Sequence, residues 1–316
     1  MLASLAEGTS HIRRWLPAGD TLATLAIVQS LGSHIAIDKR SETAWDLTIE
    51  GCGLHGWQAP TQPLDCRNAG TGMRLLAGLL AGQSFPSVLD GSEQLRQRPM
   101  RRITDPLGEM GAAIVAENGR SPLTISPNPL HGITYRMNVA SAQVKSAILL
   151  GGLYAQGETR VYQPGPARDH TERMLQAMGV PIRVEGDWVI LPEAPDGGWR
   201  LRPLNLTVPA DPSSAAFPLV AAAIVPHSQI TIAGVGLNDT RTGILEMLQA
   251  MGANLSVHND HLSGGERLGD LTVSFSELHS TKVSGNTVVR GIDELPVWAV
   301  AATQAAGVSQ VRDAAE

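Results

Sequence analysis

The sequence is poor in the residues on which several protein classes depend. Its 316 residues include two cysteines, Cys52 and Cys66. There is no Cys-x-x-Cys and no Cys/His set at zinc spacing, so neither a disulfide framework nor a zinc site is supported, and reduced thiols in the cytoplasm are expected. Cationic excess is missing too. The formal net charge is -6, and no long basic face interleaved with aromatics offsets it, which argues against a nucleic-acid partner. No apolar run has the length of a membrane span, and the opening MLASLAEGTSHIRR lacks the basic-then-apolar layout of a signal peptide. No Gly-x-Ser-x-Gly elbow supports a hydrolase triad. Asp239 stands where a dinucleotide fingerprint after Gly234-Val235-Gly236 needs its third glycine, which excludes that site. His258 and His261 fall in His-Asn-Asp-His and read as an exposed polar turn.

What is present describes an ordinary globular protein: 43% hydrophobic and 17% charged residues, enough to bury a large core. The length exceeds what one core usually supports, so two domains are expected. Internal comparison shows a repeat. Helix ends of the form small-apolar then glycine recur at Leu5-Ala6-Glu7-Gly8, Leu80-Ala81-Gly82, Tyr154-Ala155-Gln156-Gly157 and Ala305-Ala306-Gly307. A second landmark recurs at Leu31-Gly32, Met110-Gly111, Met178-Gly179 and Met251-Gly252, each followed by a strand-like run. A spacing of about 70 to 80 residues suits a strand–helix–strand–helix–strand unit. The first landmark at Gly8 reads as the last turn of a helix with nothing before it, and Val311 to Glu316 shows no terminating signal, so both ends look cut. Residues 185–202 read as a hairpin-like connection.

Five stretches carry chemistry. Asn68-Ala69-Gly70-Thr71-Gly72-Met73-Arg74 is a glycine-rich turn feeding a helix over Leu75 to Leu80, and such a turn offers free N–H groups at the positive end of a helix dipole. Arg96, Arg98, Arg101 and Arg102 follow a turn at Asp90-Gly91. Ser141 sits where an N-cap belongs, and Gln143 and Lys145 put polar groups in the first turn of an otherwise apolar helix, where a bound phosphate wants donors. Arg168 opens another helix start, where an arginine does not suit the dipole. Asp293 and Glu294 precede an apolar helix, either as caps or with a general base among them. Repeated units with such loops at equivalent positions would aim several helix N-termini at one anion site.

In this order, Asn68-Ala-Gly-Thr-x-x-Arg74, Arg98-Pro-Met-Arg101, Ser141-Ala-Gln-x-Lys145, Arg168-Asp-His-Thr-Glu172, Asn238-Asp-Thr-Arg241 and Asp293-Glu-Leu-Pro296 resemble the 5-enolpyruvylshikimate-3-phosphate (EPSP) synthases of the enolpyruvyl transferase family. The resemblance spans essentially the whole chain. It implies an α/β fold, a two-domain inverse α/β barrel (the enolpyruvyl transferase fold) built from repeated βαβαββ units. Here that fold would be truncated at both ends: residues 1–209 as a three-unit domain whose first unit is incomplete at its N-terminus, and residues 210–316 as a partial second domain with one full unit and part of the next.

The implied reaction moves the carboxyvinyl group of phosphoenolpyruvate to the 5-hydroxyl of shikimate 3-phosphate and releases phosphate, in the shikimate pathway to chorismate and aromatic amino acids. It uses no metal and no cofactor. The family is the target of glyphosate. The resemblance assigns Gly70, Arg98 and Gln143 to phosphoenolpyruvate, and Ser141, Ala142, Gln143, Arg168 and Asp293 to shikimate 3-phosphate. Asp293 is the base, and Asn68, Thr71 and Arg74 shape the turn. Two small-molecule substrates, no nucleic acid, no membrane and a monomer when complete are the expected partners. The family's opening lysine-serine motif and its later Lys-Glu-x-x-Arg motif are absent, and on that ground the chain alone is expected not to turn over. Arg67 and Ala167 stand where the family has glycine and serine or threonine. A UDP-N-acetylglucosamine enolpyruvyl transferase is the nearest alternative, although its cysteine is missing from Asp90 to Arg98; a non-catalytic binding module of the same fold is the other.

Overall fold

The computed structural model describes residues 1–314; Ala315 and Glu316, part of the C-terminal run read above, lie outside the described residues. Two compact units are present, one made of Met1–Pro164 with His170–Val208, the other of Gly165–Asp169 with the chain from Pro209 onward.

The first unit contains three four-stranded sheets with one shared strand pattern. The first set is β1 (Glu7–Trp15), α1 (Gly19–Ser30), β2 (His34–Lys39) and β3 (Trp45–Cys52). The second is β4 (Leu64–Asp65), α2 (Gly70–Ala81), β5 (Ser87–Asp90), α3 (Glu93–Arg96), α4 (Arg101–Glu109), β6 (Ala113–Ala116) and β7 (Leu123–Ser126). The third is β8 (Thr134–Arg136), α5 (Ala142–Gly152), β9 (Thr159–Tyr162), α6 (His170–Ala177), β10 (Arg183–Glu185) and β11 (Trp188–Leu191), and β12 (Asn205–Thr207) follows. The sheet orders β4-β5-β7-β6 and β8-β9-β11-β10 match, and β12-β1-β3-β2 matches both, with β12 on the edge that β4 and β8 hold. His11 to Arg13 of β1 therefore pair in parallel with Asn205 to Thr207.

The second unit carries α7 (Pro212–Ile224), β13 (Gln229–Gly236), α8 (Gly243–Ala250), β14 (Asn254–Ser263), β15 (Glu266–Ser274), β16 (Lys282–Val283), α9 (Asn286–Arg290), α10 (Leu295–Thr303) and β17 (Gln310–Val311). Its sheet runs β13-β15-β14, and β16 pairs in parallel with β17. Each unit has its own apolar cluster, from Leu2 to Leu204 in one and from Ala215 to Ala301 in the other.

The second landmark of the repeat has one physical cause in all four places. Gly32, Gly111, Gly179 and Gly252 follow helices α1, α4, α6 and α8, with φ of 91°, 96°, 95° and 86°. Their N–H groups donate to Gln29, Gly108, Gln176 and Gln249, and the next residues donate to Val28, Leu107, Leu175 and Leu248. These are the paired 5→2 and 6→1 bonds of a Schellman cap, which needs a left-handed residue. The apolar residue before each glycine is fully buried. Its carbonyl accepts the N–H of Gln58, His131, Arg202 or His279, tying each helix end to a later segment of its own repeat.

Five local expectations are corrected. Gly8 does not end a helix: Leu2–Leu5 form a 3-10 turn, and Gly8, with φ of 115°, lies inside β1. Helix α2 begins at Gly70, so the glycines fall within its first turn. The Arg168 stretch leads into a helix that starts at His170, four residues ahead of Met174. His258 and His261 lie in β14 and not in a turn. A register shift between them, with Asn259 at φ 51°, makes the bulge that a polar His-Asn-Asp-His run imitates in sequence. The hairpin-like connection expected over 185–202 begins earlier and ends sooner, pairing Arg183–Glu185 with Trp188–Leu191.

Candidate functional site

In the first unit the helices α2 and α5 pack backbone to backbone, since a Cβ on Gly78 would run into the carbonyl of Ala147. This close approach brings their N-terminal turns together. The residue before α2, Ala69, has no side chain able to cap it, and the Gly70 N–H donates to the Asn68 carbonyl at 2.9 Å, so the N–H groups of Thr71 and Gly72 are the ones left for an anion. At α5, Ser141 Oγ accepts from the Val144 N–H at 3.4 Å, which is the expected N-cap.

Gln143 joins the two helix starts. Its Nε2 donates to Thr71 Oγ1 at 2.8 Å, and its Oε1 accepts from Arg74 Nη1 at 2.7 Å. Arg74 is buried, and its Nη2 also reaches the Pro99 carbonyl. Burial first, then the positive charges of Arg102 and Arg98, lower the pKa of Arg74 from its ordinary value. Three cations thus influence one turn, a field that favours a multiply charged anion.

Arg98 leans over Gly70 closely enough that a Cβ there would lie 2.8 Å from Arg98 Nη1 and 3.3 Å from Arg74 Nη1. Half-buried Arg98 makes no side-chain hydrogen bond or ion pair with any described residue. Its neighbours in the arginine cluster behave differently. Arg96 grips Asp90 through two contacts of 2.8 and 2.5 Å, and Arg101 and Arg102 are exposed at the start of α4. Asn68 braces the turn by donating to Gln94 at 3.0 Å and accepting from Ser92 at 3.1 Å.

The structure corrects the reading of Lys145 as a phosphate donor. It is fully buried and paired with Glu172 at 2.5 Å. Glu172 lies in the first turn of α6, where it complements that helix's dipole as well as pairing with Lys145. A cavity of about 380 Å³ lies behind α2, but its walls are mostly apolar, including Leu25, Leu47, Leu75 and Leu79. The charged side chain on its wall is the carboxylate Asp20, which repels a dianion.

In the second unit Arg168 and Asp293 form an ion pair with both side chains about half exposed. Glu294, the adjacent carboxylate, is buried and accepts from Ser213. Neither carboxylate caps α10, so the capping alternative fails for both. Sequence reasoning missed the companions of Glu294. Arg241 donates to Asp211 at 2.8 Å and to Ser213 at 2.7 Å, while Asp211 caps α7 through the Ser214 N–H at 3.0 Å. The signal was present in Asp211-Pro-Ser-Ser, an N-cap with proline at the first helical position. Asn238 is buried, donates to Asp169 at 2.7 Å and to Glu266 at 3.1 Å, and orders its own turn through Thr240. No helix among the described residues is long and apolar enough to cross a membrane.

Residues 1–316 match the model of a family described as EPSP synthase (3-phosphoshikimate 1-carboxyvinyltransferase). The 3-phosphoshikimate 1-carboxyvinyltransferase of Alkalilimnicola ehrlichii is 48% identical over 318 residues, covering 100% of this chain and 70% of the relative. That of Acidithiobacillus ferrooxidans is 47% identical, covering 100% of this chain and 71% of the relative. Among solved structures, an EPSP synthase from Acinetobacter baumannii superposes with a TM-score of 0.90 at 43% identity, covering 99% of this chain and 70% of that one.

Proposed function

From the premise that this chain belongs to the EPSP synthase family, we infer that its chemistry is the transfer of the carboxyvinyl group of phosphoenolpyruvate to the 5-hydroxyl of shikimate 3-phosphate, with release of phosphate. The observation that carries this reading is the unpaired Arg98 guanidinium beside the uncapped start of α2, with Arg74 and Gln143 behind it. Phosphoenolpyruvate brings a phosphate and a carboxylate, and such charge needs fixed cations and N–H dipoles to bind away from water.

The roles are those that the family resemblance implies. Gly70 and Arg98 hold phosphoenolpyruvate, and Gln143 orients it. Ser141, Ala142 and Gln143 bind shikimate 3-phosphate. Arg168 neutralises charge on that same substrate, and Asp293 accepts the proton of its 5-hydroxyl. The freed oxygen bonds to C2 of phosphoenolpyruvate as C3 gains a proton. The resulting tetrahedral adduct then loses phosphate and a C3 proton, which restores the double bond. Asn68, Thr71 and Arg74 keep the turn in shape. The inverse α/β barrel, the domains 1–209 and 210–316 and the cytoplasmic location belong to the same proposal, which the TM-score of 0.90 supports at the level of the fold.

Calorimetry tests the substrate assignment. Shikimate 3-phosphate is expected to release heat on titration into the chain, and UDP-N-acetylglucosamine to give none. Binding of the sugar nucleotide alone would assign the chain to the sister activity.

A further inference from the structure

The helix that presents Ser141, Ala142 and Gln143 continues into the core with two polar residues that the proposed function leaves unused. Lys145 Nζ lies 2.5 Å from Glu172 Oε1 and donates to Gln163 Oε1 at 2.9 Å. The next residue, Ser146, shares a 2.7 Å hydrogen bond with Thr171. Thr171 and Glu172 lie in the first turn of α6, and Gln163 follows β9. Lys145, Ser146, Thr171 and Glu172 are all buried. Two consecutive residues of α5 therefore grip two consecutive residues of α6, within a layer otherwise made of Val144, Ala147, Ile148 and Leu149.

Stability alone does not call for such a seam. Removing an ammonium and a carboxylate from water offsets much of their attraction, and an apolar pair of similar volume would hold the helices about as firmly. Apolar contacts, however, tolerate sliding, whereas short charge-assisted hydrogen bonds with two oriented partners fix one register. Register matters at this point of the chain because the first turn of α5, immediately before the seam, sets where Gln143 meets Thr71 and Arg74.

We propose that the Lys145–Glu172 pair, with Ser146–Thr171 beside it, positions the first turn of α5 for shikimate 3-phosphate. Lys145 and Glu172 are positioning residues that touch no substrate. The inference rests on the substrate reading given above.

The test replaces the pair by apolar residues, Lys145→Met with Glu172→Leu. It compares the full chain and this variant by thermal melting, by amide hydrogen exchange across residues 141–146, and by calorimetric titration of shikimate 3-phosphate. The expected result is an unchanged or raised melting temperature, exchange about tenfold faster in the first turn of α5, and affinity about tenfold weaker. Unaltered affinity in a folded variant overturns the proposal whatever the exchange shows, because the seam is then structural only. Unaltered exchange overturns it as well. Should the double variant fail to fold, Ser146→Ala with Thr171→Val loosens the second tie, and the same readouts decide. Absence of binding by the unaltered chain defeats the substrate reading, whereas loss confined to the variant leaves that reading intact.

Discussion

Gly70 and Arg98 show how closely one atom of space and one charge are matched at the residue scale. In Gly70→Ala the added methyl would sit 2.8 Å from Arg98 Nη1, so the guanidinium must shift. Phosphoenolpyruvate binding should weaken by about tenfold or more, measured by calorimetry, while the melting temperature holds. Arg98→Ala should abolish that binding without destabilising the fold, because Arg98 gives up no internal partner; a large fall in melting temperature would contradict it. The cysteines allow an independent check of burial. Cys66 is buried, and burial, with Asp65 and Asp90 adding, pushes its thiol up to about 12, whereas Cys52 is exposed. A thiol reagent at mildly alkaline pH should therefore titrate one group in the native protein and two after denaturation. The residues alone left Arg96, Arg98, Arg101 and Arg102 on equal footing, and only the family resemblance singled out Arg98. Lys145 was misread, and Glu294 was left open, because burial and distant partners decide their state. Gln163 and Ser213 lie far from them along the chain.

At the scale of elements, the recurrent glycines carry the most information. A side chain at Gly111 would meet the Pro129 carbonyl at 2.9 Å, and one at Gly252 would meet the His279 ring at 2.7 Å, both at positive φ. Gly111→Ala or Gly252→Ala should each cost about 1–2 kcal/mol or more in chemical denaturation, beyond the gain alanine normally brings to a helix. Arg96 and Asp90 clamp the turn between β5 and α3. Hydrogen bonds from Arg96 first, with burial opposing and the Gly91 N–H helping, lower the pKa of Asp90 from its ordinary carboxylate value. A depressed folded value means that the clamp stabilises above the unfolded carboxylate pKa and is lost as pH falls through the lower one. Arg96→Gln should thus lower stability near neutral pH, and the difference from the unaltered protein should shrink as pH falls below the ordinary carboxylate range. Helix ends were readable because the cap is a local demand on backbone angles. The bulge at His258 and His261 was not, since a turn and a bulge ask for the same polar residues.

At the scale of the whole molecule, the two separate apolar clusters predict two centres of stability. Leu76→Ala and Leu248→Ala, both at fully buried positions, should each cost about 2–5 kcal/mol and displace different parts of a calorimetric unfolding trace. A uniform shift of one transition by both would refute this. The α/β class and the spacing of the repeat could be read from the chain because each unit repeats its own local rules. The edge strand of the first sheet could not, because β12 pairs with β1 from 194 residues away, His11 against Asn205. That pairing carries a consequence for synthesis. A ribosome adding about 5–20 residues per second leaves β1 with one ladder face open for roughly 10–40 seconds before Asn205 emerges. Throughout that interval the nascent chain exposes an edge that any passing strand could join. Arg13 and Arg14 sit on that strand, and their charge is the kind of guard that discourages a second nascent chain from joining it.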